Sequence, residues 1–302
     1  MKSRTLAALA GSLLAVGCSS IEGGSGVDSN LVVATSTIVE DVVRNVGGES
    51  LNLVSLIPNG FDSHTYEPKP SEIEMLGSAK LVVMADAGLN QKITQLAELS
   101  TDSGNILDLN ASSLSSSDFI VKASSSRANP HTWTDPTLVA KWVPTIVEEL
   151  VSKKLVSRAV AEANAASYLA KLSELDRKIA GRFSPANSSQ RRLVVYHDAW
   201  EYFAKRYDLE LVGVLQAVDF AEPSAADLLQ LTKDIKTLGV RVFFGSEVFP
   251  SEVLEALERE SGARYVPDLA DDRLPGSPGD EVYGYIPLME RNVDLLTSGL
   301  FE

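Results

Sequence analysis

From Leu31 onward, short β-branched or apolar runs alternate with segments whose apolar residues recur every three or four positions. This alternation constrains the fold more than any other feature, because repeated strand–helix units close into parallel sheets with helices on both faces. Leu31 to Ala34, Leu51 to Ile57 and Leu81 to Met84 read as strands. Ile38, Val42, Val43 and Val46 mark a helix stopped at Gly47-Gly48. Ser71-Glu72-Ile73-Glu74 reads as a capping box for a helix to Ala79, and another helix spans Asn90 to Leu99. Asp118 to Val121 is a further strand candidate inside a serine-rich stretch, Ala111 to Ser126. The second half repeats the pattern. Strands are expected at Leu193–Tyr196, Leu211–Leu215, Val240–Phe244 and Arg264–Val266. Helices are expected at Ala199–Tyr207, from Ser224 (N-cap, with Asp227 at N3) to Leu238, at Ser251–Glu260 and at Ile286–Leu296. Between the halves, a helix from Pro136 to Leu150 precedes a longer one from Ser157 to Arg182, with Tyr168, Leu172, Leu175, Ile179 and Phe183 on one stripe. About 26 residues at 1.5 Å each span roughly 39 Å, enough to join two α/β lobes.

The start of the chain has another purpose. Lys2 and Arg4, the apolar run Leu6 to Val16 and the small Gly17 describe a secretory signal too short to span a membrane as a helix. Ala15-Val16-Gly17-Cys18 resembles a bacterial lipobox, which makes Cys18 the candidate for lipidation. It is the only cysteine, so no internal disulfide is available and the fold needs a hydrophobic core. The expected organisation is a signal at 1–17, a lipidated Ser/Gly-rich tether at 18–29, a first lobe at 30–155, a linking helix at 156–184 and a second lobe at 185–302. The net charge of −14 becomes −16 once Lys2 and Arg4 are removed with the signal. That balance argues against nucleic acid as a partner and gives a weak general attraction for cations.

Three histidines in 302 residues all fall in loops or just past strands. His131 lies in Asn129-Pro130-His131-Thr132-Trp133-Thr134-Asp135-Pro136, where two prolines forbid a helix or strand interior and stiffen the loop. His64 lies in Asp62-Ser63-His64-Thr65-Tyr66-Glu67-Pro68, beyond an apolar run, and His197 follows Leu193 to Tyr196 directly. Ligand loops of parallel sheets lie beyond the carboxyl ends of the strands, so one shared site is expected. Neutral imidazoles suit zinc, copper, iron and nickel. The sequence has no His-Glu-x-x-His, nucleophile elbow or Walker loop.

Together with His197-Asp198-Ala199-Trp200-Glu201-Tyr202-Phe203-Ala204-Lys205-Arg206-Tyr207 and Ala221-Glu222-Pro223-Ser224, these motifs resemble the zinc- and manganese-binding lipoproteins of bacterial ABC importers, the TroA/ZnuA type of solute-binding protein. The resemblance implies two α/β lobes joined by one long helix, with the metal in the cleft between them. It also implies a monomeric receptor held outside the cytoplasm by the lipid on Cys18, delivering its ion to a membrane permease and its ATPase. His64 and His131 would be first-lobe ligands and His197 the second-lobe ligand. Histidine at this third position leans toward Zn(II), with Mn(II) or Fe(II) as alternatives. The family's aspartate ligand matches Asp268, with Asp271, Asp272 or water as substitutes. Glu247 would orient a ligand imidazole. The histidine-rich loop of some zinc-binding relatives is replaced here by the serines of Ala111 to Ser126. The alternative of another class is a secreted zinc hydrolase, which keeps three protein ligands and an open water position. An added adhesin role has no residues that argue for it.

Overall fold

A computed structural model of the chain describes residues 30–121, 127–216, 224–246 and 252–302. The first lobe contains β1 (Val32–Ala34), α1 (Thr37–Gly47), β2 (Leu53–Ser55), α2 (Pro70–Ser78), β3 (Leu81–Met84), α3 (Gln91–Ser100), β4 (Ile106–Asp108), α4 (Leu109–Ser113) and α5 (Pro136–Ser152). The long α6 (Arg158–Phe183) leads to β5 (Arg192–His197), α7 (Glu201–Arg206), β6 (Glu210–Gln216), α8 (Ala225–Leu238), β7 (Val242–Ser246), α9 (Glu252–Ser261), β8 (Arg264–Leu269) and α10 (Tyr285–Phe301). Each lobe holds one four-stranded sheet, ordered β2-β1-β3-β4 in the first and β6-β5-β7-β8 in the second. All pairings in both sheets are parallel.

The central strands are buried along their length, as expected where helices cover both faces. On α6 the buried residues are Ala161, Ala165, Tyr168, Leu172, Leu175, Ile179 and Phe183, the stripe expected from the sequence extended by about two turns at its start. The helix packs on α1, α5 and α10, and one apolar core runs through both lobes. Full burial of each large side chain contributes about 1.5–3 kcal/mol. The helix therefore fixes the lobes to each other by packing as well as by covalent connection.

Several local expectations shift. The α2 capping box moves back two residues. Pro70 occupies the first helical turn, where its missing N–H costs nothing, and the Glu72 carboxylate accepts the Lys69 N–H at 2.7 Å. Asp118 to Val121 forms no strand beyond a single antiparallel bridge, Val121 to Ala128. β4, by contrast, follows Asn105 in a stretch too short for periodicity to reveal. Gly48 at φ +84 and Gly239 at φ +64 end α1 and α8 in the left-handed region open to glycine. Cys18 and Glu247 lie outside the described residues.

Candidate metal centre

The three histidines converge although they lie on separate elements. His64 follows β2, His131 sits in the loop between α4 and α5, and His197 is the last residue of β5. The Nε2 atoms of His64 and His131 are 3.0 Å apart, and those of His197 and His131 3.1 Å. The carboxylate beside them belongs to Asp272, whose Oδ2 lies 3.4 Å from His64 Nε2 and whose Oδ1 lies 3.9 Å from His131 Nε2. The four ligand atoms lie within 4.8 Å of one another, and the four side chains are sealed from solvent. A tetrahedron with zinc–nitrogen bonds of about 2.05 Å has edges of about 3.3 Å, close to the spacing of these nitrogens.

Asp268, expected as the carboxylate, is not in this group. Between the pairs Phe244–Val266 and Ser246–Leu269, β8 carries one residue more than β7, a bulge centred on Pro267-Asp268. Asp268 adopts φ +65 there and its side chain is exposed. The bulge turns it out of the cleft, and the chain delivers Asp272 four residues later. Asp271 is buried too, but its Oδ1 accepts from Ser246 Oγ at 3.2 Å and its carbonyl accepts from Trp133 Nε1 at 2.8 Å. The bulge was not readable from the strand pattern, although Pro267 was its one signal.

Local contacts hold the members of this cluster in position. Asp62 accepts the His64 N–H at 2.9 Å and the Thr65 hydroxyl at 2.6 Å, which fixes the His64 loop. Asn90, the N-cap of α3, donates from Nδ2 to the carbonyls of Ser63 and Tyr66. Asn129 is the residue that sequence reasoning passed over. Its Nδ2 donates to the Asp198 carbonyl (2.7 Å) and to Glu201 Oε2 (3.1 Å), which orients the amide. Its Oδ1 then accepts from the His131 N–H at 3.0 Å and faces His131 Nδ1 at 2.8 Å. An acceptor on Nδ1 assigns the ring proton to that nitrogen and leaves the Nε2 lone pair aimed into the cluster. Further bonds to this loop cross from the second lobe: Tyr202 donates to the Asn129 carbonyl, Thr134 donates to the Ala199 carbonyl, and Tyr285 donates to the Trp133 carbonyl.

The electrostatics favour a cation. Burial, with His197 and His64 adding to it against Asp272, holds His131 well below the usual imidazole range. Burial also lowers His197 to about 3. Burial alone would raise Asp272, but the imidazoles of His64, His131 and His197 outweigh it and keep the carboxyl ionised. The result is three converging imidazoles, with His131 and His197 held neutral, beside one buried carboxylate, an arrangement suited to a divalent ion.

A family model described as ZnuA, "Zinc-uptake complex component A periplasmic", matches residues 32–299. Among characterised relatives, a high-affinity zinc uptake system protein of Bacillus subtilis is 28% identical over 299 residues, covering 95% of this chain and 93% of its own. A manganese-binding lipoprotein of Halalkalibacterium halodurans is 26% identical over 293 residues, covering 96% and 95%. An iron ABC transporter substrate-binding lipoprotein of Streptococcus pyogenes is 24% identical, covering 95% and 94%. In fold, the periplasmic zinc-binding protein TroA of Treponema pallidum superposes with a TM-score of 0.84 at 24% identity, over 90% of this chain and 99% of its own.

Proposed function

We propose that this chain, which belongs to the ZnuA family of periplasmic zinc-uptake components, captures Zn(II) through His64, His131, His197 and Asp272 and delivers it to a membrane permease. The family consists of substrate-binding receptors that work with ABC transporters of metal ions. The observation that carries the zinc reading is the donor set, three imidazole nitrogens and one carboxylate, all buried. Zinc accepts a four-coordinate shell of this kind, whereas manganese prefers more ligands and more oxygen and binds more weakly in the general affinity order. Relatives named for manganese and for iron keep Mn(II) and Fe(II) as the competing cargoes.

The same donor set weighs against a hydrolase. Four protein ligands fill a tetrahedral shell, while catalytic zinc keeps a position open for water. The receptor reading includes anchoring outside the cytoplasm through lipid on Cys18, with the protein acting as a monomer. No helix among the described residues is long and apolar enough to cross a membrane.

Metal analysis of protein purified without chelator, followed by competition titrations with zinc, manganese and ferrous iron, tests the cargo. One tightly bound ion per chain with zinc preferred is expected; a preference for manganese or ferrous iron rejects the zinc reading. His197→Glu exchanges one nitrogen for oxygen and adds a negative charge. It should weaken zinc more than manganese and narrow the gap between them. An unchanged zinc-to-manganese ratio would show that His197 does not set the preference.

A further inference from the structure

We propose that Asn59 is a positioning residue for Asp272: a side-chain clasp that holds the Asp272 loop of the second lobe against the His64 loop of the first and sets how fast the ion leaves. The inference rests on the metal-site reading above and concerns a residue outside the ligand cluster.

Asn59 lies between β2 and His64, in Pro58-Asn59-Gly60-Phe61. The Phe61 N–H donates to the Pro58 carbonyl at 3.3 Å and Gly60 has φ +91, as a type II turn requires at its third residue. Phe61 packs edge-on against Tyr66, with ring centroids 5.5 Å apart. The turn is thus ordered before it makes any contact across the cleft, so presenting Asn59 costs little further entropy.

From this turn the Asn59 amide reaches 215 residues along the chain. Its Nδ2 donates to the carbonyls of Leu274 (2.9 Å) and Gly276 (3.1 Å), and its Oδ1 accepts the Leu274 N–H at 3.0 Å. One primary amide thereby pairs with both backbone groups of a single residue. Aspartate lacks the donor for this and alanine lacks both partners. Leu274 is a core residue, 1% exposed, two positions beyond Asp272. Ser63 adds one more bond from the same first-lobe loop, its Oγ donating to Asp272 Oδ2 at 2.8 Å.

The clasp lies at the rim of the site. Asn59 is only half-buried, and its bond to Gly276 is exposed, so water can take over its partners when the loops separate. Opening there frees Asp272 without unfolding either sheet, whereas withdrawing His197 means moving the end of β5. Release through the Asp272 loop is therefore the easier path, and Asn59 governs it.

The test compares wild type, Asn59→Ala and Asn59→Asp, each loaded with one equivalent of zinc. Dissociation into excess chelator, association, and hydrogen exchange of a peptide containing Leu274 are followed. Losing up to three hydrogen bonds should speed dissociation about tenfold in both variants, with association within about twofold of wild type. The Leu274 peptide should exchange faster in Asn59→Ala than in wild type. Dissociation within twofold of wild type in both variants overturns the proposal. So does faster dissociation accompanied by a matching fall in the melting temperature of the metal-free protein, which would make Asn59 an ordinary stabilising contact. Failure of wild type itself to bind zinc would reject the site reading instead.

Discussion

The two lobes share one strand order but use it differently. Counting strands within each lobe, the sequence 2-1-3-4 describes both sheets. The first lobe contributes its members of the cluster from beyond the second strand (His64) and beyond the fourth (His131). The second contributes from the end of its first strand (His197) and beyond its fourth (Asp272). The means of support differ as well. His197 is held by its own strand, and the His64 loop by Asp62 and Asn90 of its own lobe. Asp272, in contrast, receives hydrogen bonds on its side chain and loop from Ser63 and Asn59 of the opposite lobe. A repeated sheet thus supplies the frame, while irregular loops and cross-lobe bonds make a single asymmetric site.

The largest effect should come from removing His131, whose Nε2 lies next to those of both other histidines. His131→Ala should lower zinc affinity by a factor on the order of a hundred or more, since structural zinc sites bind with about 10–16 kcal/mol spread over four ligands. Competition titration measures it. Comparable affinity in His131→Ala would remove this histidine from the site.

Paired aspartate variants address the carboxylate of the cluster next. Asp272→Asn should weaken zinc roughly a hundredfold, while Asp268→Asn, altering an exposed bulge residue, should leave it unchanged. The reverse result would restore Asp268 as the ligand.

Asn129→Asp separates support from ligation. The variant still offers an oxygen to His131 but turns another toward the Asp198 carbonyl and Glu201, so the two lobes lose a tie and gain repulsion. A drop of about 10–100-fold in zinc affinity is expected, as for other residues that orient a metal-binding imidazole. Calorimetric titration beside the wild type would detect it, and full retention of affinity would count against the role.

The smallest effect concerns Asp41 of α1, which accepts the N–H of Tyr285 at the start of α10 at 2.9 Å and so ties the lobes outside the His/Asp cluster. Burial raises its carboxyl to about 6. The folded state then binds the proton more tightly than the unfolded chain, so the ionised form weakens folding above pH 6 and that cost disappears as pH falls toward 4. Asp41→Asn keeps an acceptor and should stabilise the protein by about 1–2 kcal/mol at pH 8, with the gain gone near pH 4. The buried histidines act in the opposite direction. With His197 lowered to about 3 by burial, the unfolded chain takes up protons first, and stability from this group is lost as pH falls from about 6.5 toward 3. Urea titrations of wild type and variant across this range would resolve the two contributions.

Much of this arrangement was legible because it depends on local pattern. Strand and helix alternation, the Ser224 cap with Asp227, the α6 stripe and the three loop histidines all rest on residues close in sequence, where period, capping chemistry and proline stiffness act directly. Asp272 was legible only as one of several substitutes for Asp268. Its selection depends on a bulge in β8 that exists only because β7 pairs with it, and on first-lobe side chains two hundred residues away. Asn129 was visible as part of a proline-bounded loop, but its orientation is set by a carbonyl at Asp198 and a carboxylate at Glu201. The amino-acid sequence by itself determined two α/β lobes, a helix between them and three imidazoles in loops. Only the tertiary structure decided which carboxylate joins them and which amides hold the loops in place. Side chains in contact across a cleft leave no periodicity along the chain, and a strand's face is decided by its register with a neighbour.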